Sequence, residues 1–144
     1  MEKQVNNTVR VLVKEPNKPP YEKEIPNKLE EFQAIVDGLI DVMQLKHIKG
    51  VDIIVNDEFL NEGMEGNFFV PELSNCVCGS CCFVGFNPNT GEHISLTDKQ
   101  IKASKEYIKY FEIPIGLDLY KDYPILKPFM DKQYRKYKNN QQEM

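Results

Sequence analysis

The sequence lacks any apolar stretch long enough to cross a membrane. Its first twenty residues carry Glu2, Lys3, Arg10, Lys14, Glu15 and Lys18, leaving no room for the apolar centre of a signal peptide. A cytoplasmic protein with no membrane partner is therefore expected. An excess of positive charge is also missing. Eighteen Lys and Arg against 22 Asp and Glu give a formal charge of −4 and a pI near 5.3, which excludes a polycation that coats nucleic acid with its whole surface. Any such binding has to be local. The glycine fingerprints of phosphate and dinucleotide loops are absent, no serine or cysteine sits in a nucleophile elbow, and no cofactor is implied. His47 and His93 are the only histidines available for proton chemistry near neutral pH. There is no internal repeat and, apart from a polar C-terminal end, no low-complexity tract. What remains is 144 residues, 41% hydrophobic and 28% charged. That is one domain's length, enough to bury a core without disulfides or metal.

The alternation of Val9, Val11 and Val13 against Thr8, Arg10 and Leu12 predicts a strand with one buried face. The segment Glu15-Pro16-Asn17-Lys18-Pro19-Pro20 predicts a loop, because adjacent prolines lock φ and remove amide donors. A short strand over Tyr21 to Ile25 follows. Asn27, with Glu30 three residues on, has the form of a capping box. Leu29, Phe32, Ile35, Val36, Leu39 and Ile40 recur at helical spacing up to a stop at Gly38. Strands over Leu39 to Leu45 and Val51 to Val55 are expected to pair. Glu58 to Leu73 reads as irregular, with room for a short helix or edge strand. Cys76 to Phe86 is mostly apolar and reads as one central strand, closed by the turn Asn87-Pro88-Asn89-Thr90-Gly91. Thr97 and Gln100 form a second capping box, opening a helix whose buried stripe is Ile101, Ser104, Ile108 and Phe111. After Pro114 and Gly116 the composition changes. Residues 1–116 are expected to form the domain and 117–144 an extension whose first half packs and whose last dozen residues fray.

The strand into Glu15-Pro16-Asn17-Lys18-Pro19-Pro20, the helix Asn27-Lys28-Leu29-Glu30-Glu31-Phe32-Gln33 ending at Gly38, the run Val51-Asp52-Ile53-Ile54-Val55-Asn56-Asp57-Glu58 and the closing Ser95-Leu96-Thr97-Asp98-Lys99-Gln100-Ile101 together resemble the family catalogued as domain of unknown function 3846. The likeness runs over about residues 8 to 112 and resides in the order and spacing of these segments. It implies a small α+β domain from phages, plasmids and conjugative elements of bacteria, mostly Gram-positive. It brings no agreed activity and no catalytic residues. At the Cys76 to Cys82 stretch the family pattern is a plain apolar strand, so the cysteines are particular to this chain, and the tail after Pro114 lies outside the likeness.

Four thiols in seven residues, Cys76, Cys78, Cys81 and Cys82, are the sharpest chemical feature. Two close pairs can serve zinc when an intervening stretch lets them face each other. That stretch is missing here, and in an extended strand Cys81 points away from the other three. Buried cysteine also packs as a small hydrophobe. His93 is the one histidine near enough in sequence to join a mixed site. Asp57, Glu58, Glu62 and Glu65 crowd the irregular segment, where paired carboxylates can divide acid and base roles, although acidic loops are commonly just solvated. On the second helix Lys99, Lys102, Lys105 and Lys109 fall on one side, flanked by Tyr107 and Tyr110. This is either a phosphate-contacting face or an ordinary solvated one with Glu106 and Glu112 mixed in. In the tail, Arg135, Lys136 and Lys138 alternate with Tyr134 and Tyr137, a mixture that stacks on single strands.

The expected architecture is α+β: a mostly antiparallel sheet of about five strands with two main helices packed on it. The expected function is that of a non-enzymatic accessory protein of a mobile genetic element. It would bind an unidentified protein partner through an exposed sheet face or the Glu58 to Leu73 loop, with self-association through a sheet edge open to it. Two alternatives stand beside it: nucleic-acid association through Lys99, Lys102, Lys105, Lys109 and the tail, and metal binding by the cysteine run.

Overall fold

The alternating valines at the start of the chain form β1 (Thr8–Lys14), which pairs antiparallel with β2 (Tyr21–Pro26). The structure, a computed structural model, describes residues 7–58, 65–114, 117, 119 and 121–142. After β2 come α1 (Leu29–Val36), β3 (Ile40–Gln44) and β4 (Val51–Asn56). Then follow β5 (Gly66–Val70), a 3-10 turn (Pro71–Leu73), β6 (Asn75–Cys78), β7 (Cys81–Phe86) and β8 (His93–Ile94). The chain closes with α2 (Asp98–Phe111) and α3 (Tyr123–Gln142). The main sheet has the order β2-β1-β7-β4-β3, with β8 alongside β7. All its pairings are antiparallel, and β5 and β6 form a separate two-stranded sheet. This is the α+β class expected, with a third helix and a second sheet added.

Both faces of the main sheet are covered. Val9, Val11, Val13, Ile54, Cys82 and Val84 pack under α1 through Phe32 and Val36. Leu12, Ile53, Val55 and Phe83 face the other way, into a larger core with the β5–β6 hairpin, α2 and α3. β1 is thus buried on both faces, not one, as a strand next to the centre of a three-layer structure must be. Each fully buried Phe or Leu contributes roughly 1.5–3 kcal/mol. The central strand β7 accommodates β8 closely only because residue 85 is glycine: a Cβ there would stand 2.8 Å from the Ile94 and Ser95 carbonyl oxygens.

Several expectations are corrected. Cys76 to Phe86 is not one strand. Gly79 takes φ 78°, a left-handed conformation open to glycine, and the chain turns there from the small sheet into the main one. In the mixed segment before it, 59–64 lie outside the described residues, and the strand and short helix it left room for are β5 and the 3-10 turn Pro71–Leu73. The Asn27 capping box does not form: Lys28 occupies the N-cap with no side-chain bond, and the Asn27 amide donates instead to the His93 carbonyl oxygen at 3.0 Å. α1 stops at Val36, short of Leu39 and Ile40, because Asp37 turns left-handed and the buried Asn56 amide takes up the Val36 carbonyl at 3.1 Å. The Thr97–Gln100 capping box is present in full. Residues 133–142, whose polar composition predicts a frayed end, are helical. Leu126, Met130, Tyr134 and Tyr137, at spacings of four, four and three, pack one stripe of α3 into the core.

Both sheet edges carry groups that discourage further pairing. On β2, Glu22, Lys23 and Glu24 line the strand and Pro26 removes a donor. On β3, the Val42 amide donates to the Asp41 carboxylate at 2.9 Å. Among the described residues, no helix is long and apolar enough to cross a membrane.

A candidate nucleic-acid interface

α2 buries Ile101, Ser104, Tyr107, Ile108 and Phe111. The opposite side then carries Lys99, Lys102, Lys105 and Lys109, all exposed, within about 120° of the helix circumference. Lys99, Lys102 and Lys109 form the crest, and the half-buried Glu106 lies beside it toward α3. The fully buried Tyr107 does not flank the lysines, and the half-buried Tyr110 does, on the side toward α3.

α3 brings a second set of cations to the same layer. By helical spacing, Gln133, Lys136 and Lys132 follow one another around α3 from the side facing α2 toward solvent. Gln133 is anchored there, its amide donating to the Tyr110 carbonyl oxygen at 3.1 Å, and the Asn140 amide meets the Tyr110 hydroxyl. Between the two helices lies a cleft of about 530 Å³ lined by Lys102, Lys105, Glu106, Lys109, Tyr110 and Gln133. On the other flank of α2 the loop Asn17–Pro20 bounds a second cleft, of about 420 Å³, which Lys18, Lys105 and Lys109 line together with Ile108 and Glu112.

The charge of this layer differs from that of the whole protein. α2 and α3 hold nine of the 18 basic residues and three of the 22 acidic ones. The acids are largely engaged. Asp98 pairs with Arg10 at 2.8 Å and Asp131 with Lys127 at 2.8 Å, while Glu112, just past the end of α2, pairs with the fully buried Lys14 at 2.9 Å. The remainder of the chain is correspondingly acidic, and α1 shows Glu30 and Glu31 in its first turn with no base in its last. A net charge of −4 therefore conceals a concentration of basic residues on α2 and α3.

The tail aromatics take a different part from the one their alternation with lysine implies. Tyr137 is 1% exposed, and its ring meets those of Tyr107, Tyr110 and Phe111 edge-on. Tyr134 lies edge-on to His47, whose Nε2 is 2.8 Å from the Tyr134 hydroxyl. Tyr107 donates to the buried Glu72 carboxylate at 3.0 Å, and burial next to that charge pushes its phenol well above the usual range. Burial likewise raises Tyr137 to about 12. Tyr107 and Tyr137 are fully buried, Tyr134 is half-buried, and all three hold α3 in place. Among the described residues of the tail, Ile125 and Phe129 are exposed.

The other candidate residues are dispersed. Cys76 and Cys78 lie on β6, Cys81 faces the larger core and Cys82 the α1 side, and all four are buried free thiols. Burial pushes Cys76 and Cys82 up to about 12 and Cys81 well above its ordinary value. His93 stands opposite Phe86, four residues or roughly 13 Å along β7 from Cys82. It pairs instead with the buried Asp52, Nε2 to Oδ2 3.3 Å. Burial raises the Asp52 carboxyl, with His93 acting against that. Among the described residues, no three His, Cys, Asp or Glu side chains are grouped so as to hold a metal ion. Of the crowded carboxylates, Glu65 accepts from the Asn17 amide, the Glu58 amide is bound by Asn56 at 2.8 Å, and Glu62 lies outside the described residues.

The lysine side of α2 was legible from helical spacing. Its relation to Gln133, Lys132 and Lys136 was not, because nothing local orients a helix that packs through long-range tyrosine contacts. Lys18 joins the site through a loop, which spacing does not place. The family described as Domain of unknown function (DUF3846) matches residues 9–112, and the chain belongs to it. No curated protein and no solved structure matches the chain.

Proposed function

We propose that this member of the domain-of-unknown-function family binds nucleic acid through the α2–α3 face, as a non-catalytic accessory protein of the mobile genetic element that the family resemblance implies. The observation carrying this reading is the segregation of charge: nine basic and three acidic residues on two adjacent helices of a net acidic protein, with lysine-lined clefts on both sides of α2. A concentration of cations attracts a polyanion by releasing its condensed counterions. The sheet offers a protein partner less. α1 covers one face, α2, α3 and the hairpin cover the other, and each edge is blunted.

Fluorescence anisotropy with labelled DNA and RNA oligonucleotides over a salt series tests this. If four or five lysines contact phosphates, log Kd should rise with log salt with a slope of roughly 4. Replacing Lys102 and Lys109 by Gln should lower the slope by about 2 and weaken binding at 0.1 M salt by about 8-fold per lysine. Absence of binding at low salt, or binding unchanged in the double variant, removes the proposal.

A further inference from the structure

The α2 crest stands between two clefts, and that arrangement selects among nucleic acids. We infer, resting on the nucleic-acid reading, that the partner is double-stranded B-form DNA, with α2 seated in the major groove and the two flanking clefts turned toward the phosphate backbones that bound it.

An α-helix with its side chains is about 10–12 Å across, close to the roughly 12 Å width of the B-DNA major groove. The crest residues Lys99, Lys102 and Lys109 cover about 15 Å of helix at 1.5 Å per residue. Lys105, 3.9 Å from Glu22, and Lys109 stand between the clefts, with Lys102 lining the first and Lys18 the second, so each side has a cation of its own. The outer wall of the second cleft is stiff: Pro19 and Pro20 fix its backbone, and Asn17, at φ 62°, is tied through its amide to Glu65. That wall presents Lys18, which is 68% exposed and lies 3.3 Å from Glu15 Oε1. The carboxylate in the same cleft, Glu112, is neutralised by Lys14 at 2.9 Å.

Glu106 is half-buried beside the crest and lines the cleft toward α3. The crest lysines can donate to guanine O6 and N7 as well as to phosphate. Single strands are held on exposed aromatic platforms, and here the tail tyrosines are turned inward, Tyr137 to 1% exposure. Double-stranded RNA has a major groove too deep and narrow for side chains to read.

The test compares one mixed-sequence oligonucleotide of about 20 base pairs, two turns of duplex, as duplex DNA, as single-stranded DNA and as double-stranded RNA, each titrated into the full chain at fixed salt. Duplex DNA should bind at least about tenfold tighter than the other two. Lys18→Gln should weaken duplex binding by about 8-fold at 0.1 M salt. A thermal melt checks that the variant folds. Equal or tighter binding of single strands or of double-stranded RNA overturns this inference and leaves the nucleic-acid reading standing. A Lys18→Gln variant that binds duplex as the wild type does also overturns it. Failure to bind any of the three removes both.

Discussion

Lys14 is fully buried at the end of β1, with Nζ 2.9 Å from Glu112 Oε2 and 2.7 Å from the Glu15 carbonyl oxygen. Replacing Glu112 by Gln keeps the shape and removes the counter-charge, leaving a buried ammonium with neutral acceptors only. Breaking a fully buried pair from one side costs about 3–5 kcal/mol. The Glu112 side chain is 40% exposed, so water already reaches this pair, and a cost of about 2–3 kcal/mol is expected after that discount. Lys14→Met acts in the opposite sense. It removes the buried charge while keeping most of the stem's packing, and it leaves Glu112 to solvent and the Glu15 carbonyl without its donor, a loss of about 1 kcal/mol or less. Urea unfolding at pH 7 should place Glu112→Gln clearly below Lys14→Met, with a fall in Tm on the order of 5–10 °C for the former. A Lys14→Met variant less stable than Glu112→Gln, or a Glu112→Gln variant within about 0.5 kcal/mol of wild type, would refute the reasoning.

Three further outcomes are expected. Burial raises the Asp52 carboxyl above 3.8 despite its pairing with His93, so the folded state keeps this proton to higher pH than the unfolded state does. The Asp52 contribution to stability therefore falls as pH rises from 3.8 through the raised value. Unfolding free energies of Asp52→Asn measured against pH should lack that descent, and a descent of equal size in the variant would contradict the assignment. With Cys76 and Cys82 raised to about 12, only about one thiol in 10⁴ is ionised at pH 8; a thiol reagent should label the native protein slowly and all four cysteines rapidly in urea, whereas fast native labelling would show an exposed thiolate. Tyr107→Phe removes the donor to the buried Glu72 carboxylate and should cost about 2 kcal/mol, read as a shift in the urea midpoint; no shift would mean that the bond contributes nothing.

Periodicity carried much of the fold. Alternating valines placed β1, and the Thr97–Gln100 box placed the start of α2 with its lysine side, because each depends on neighbours within one or two turns. Where long-range contacts decide, local pattern failed. The Cys76 to Phe86 run is apolar throughout because both of its strands are buried, so hydrophobicity could not reveal that Gly79 separates two sheets. Residues 133–142 look like a solvated end because three sides of α3 are polar, and Tyr134 and Tyr137 reveal the fourth only once Tyr107, Phe111 and His47 are set opposite them. Asn27 carries the residue type of a cap but spends its amide on His93, 66 positions away. The candidate site follows the same division: its α2 half was visible, and its α3 and Lys18 parts depend on packing.

The most direct measurement is a heteronuclear NMR titration of the isotope-labelled full chain with duplex DNA at low salt. Amide shifts concentrated along α2, at 133–136 of α3 and at Asn17 and Lys18, and reversed by added salt, are the expected result. Shifts gathered on α1 and β3, or none anywhere, would contradict a nucleic-acid face on this side of the sheet.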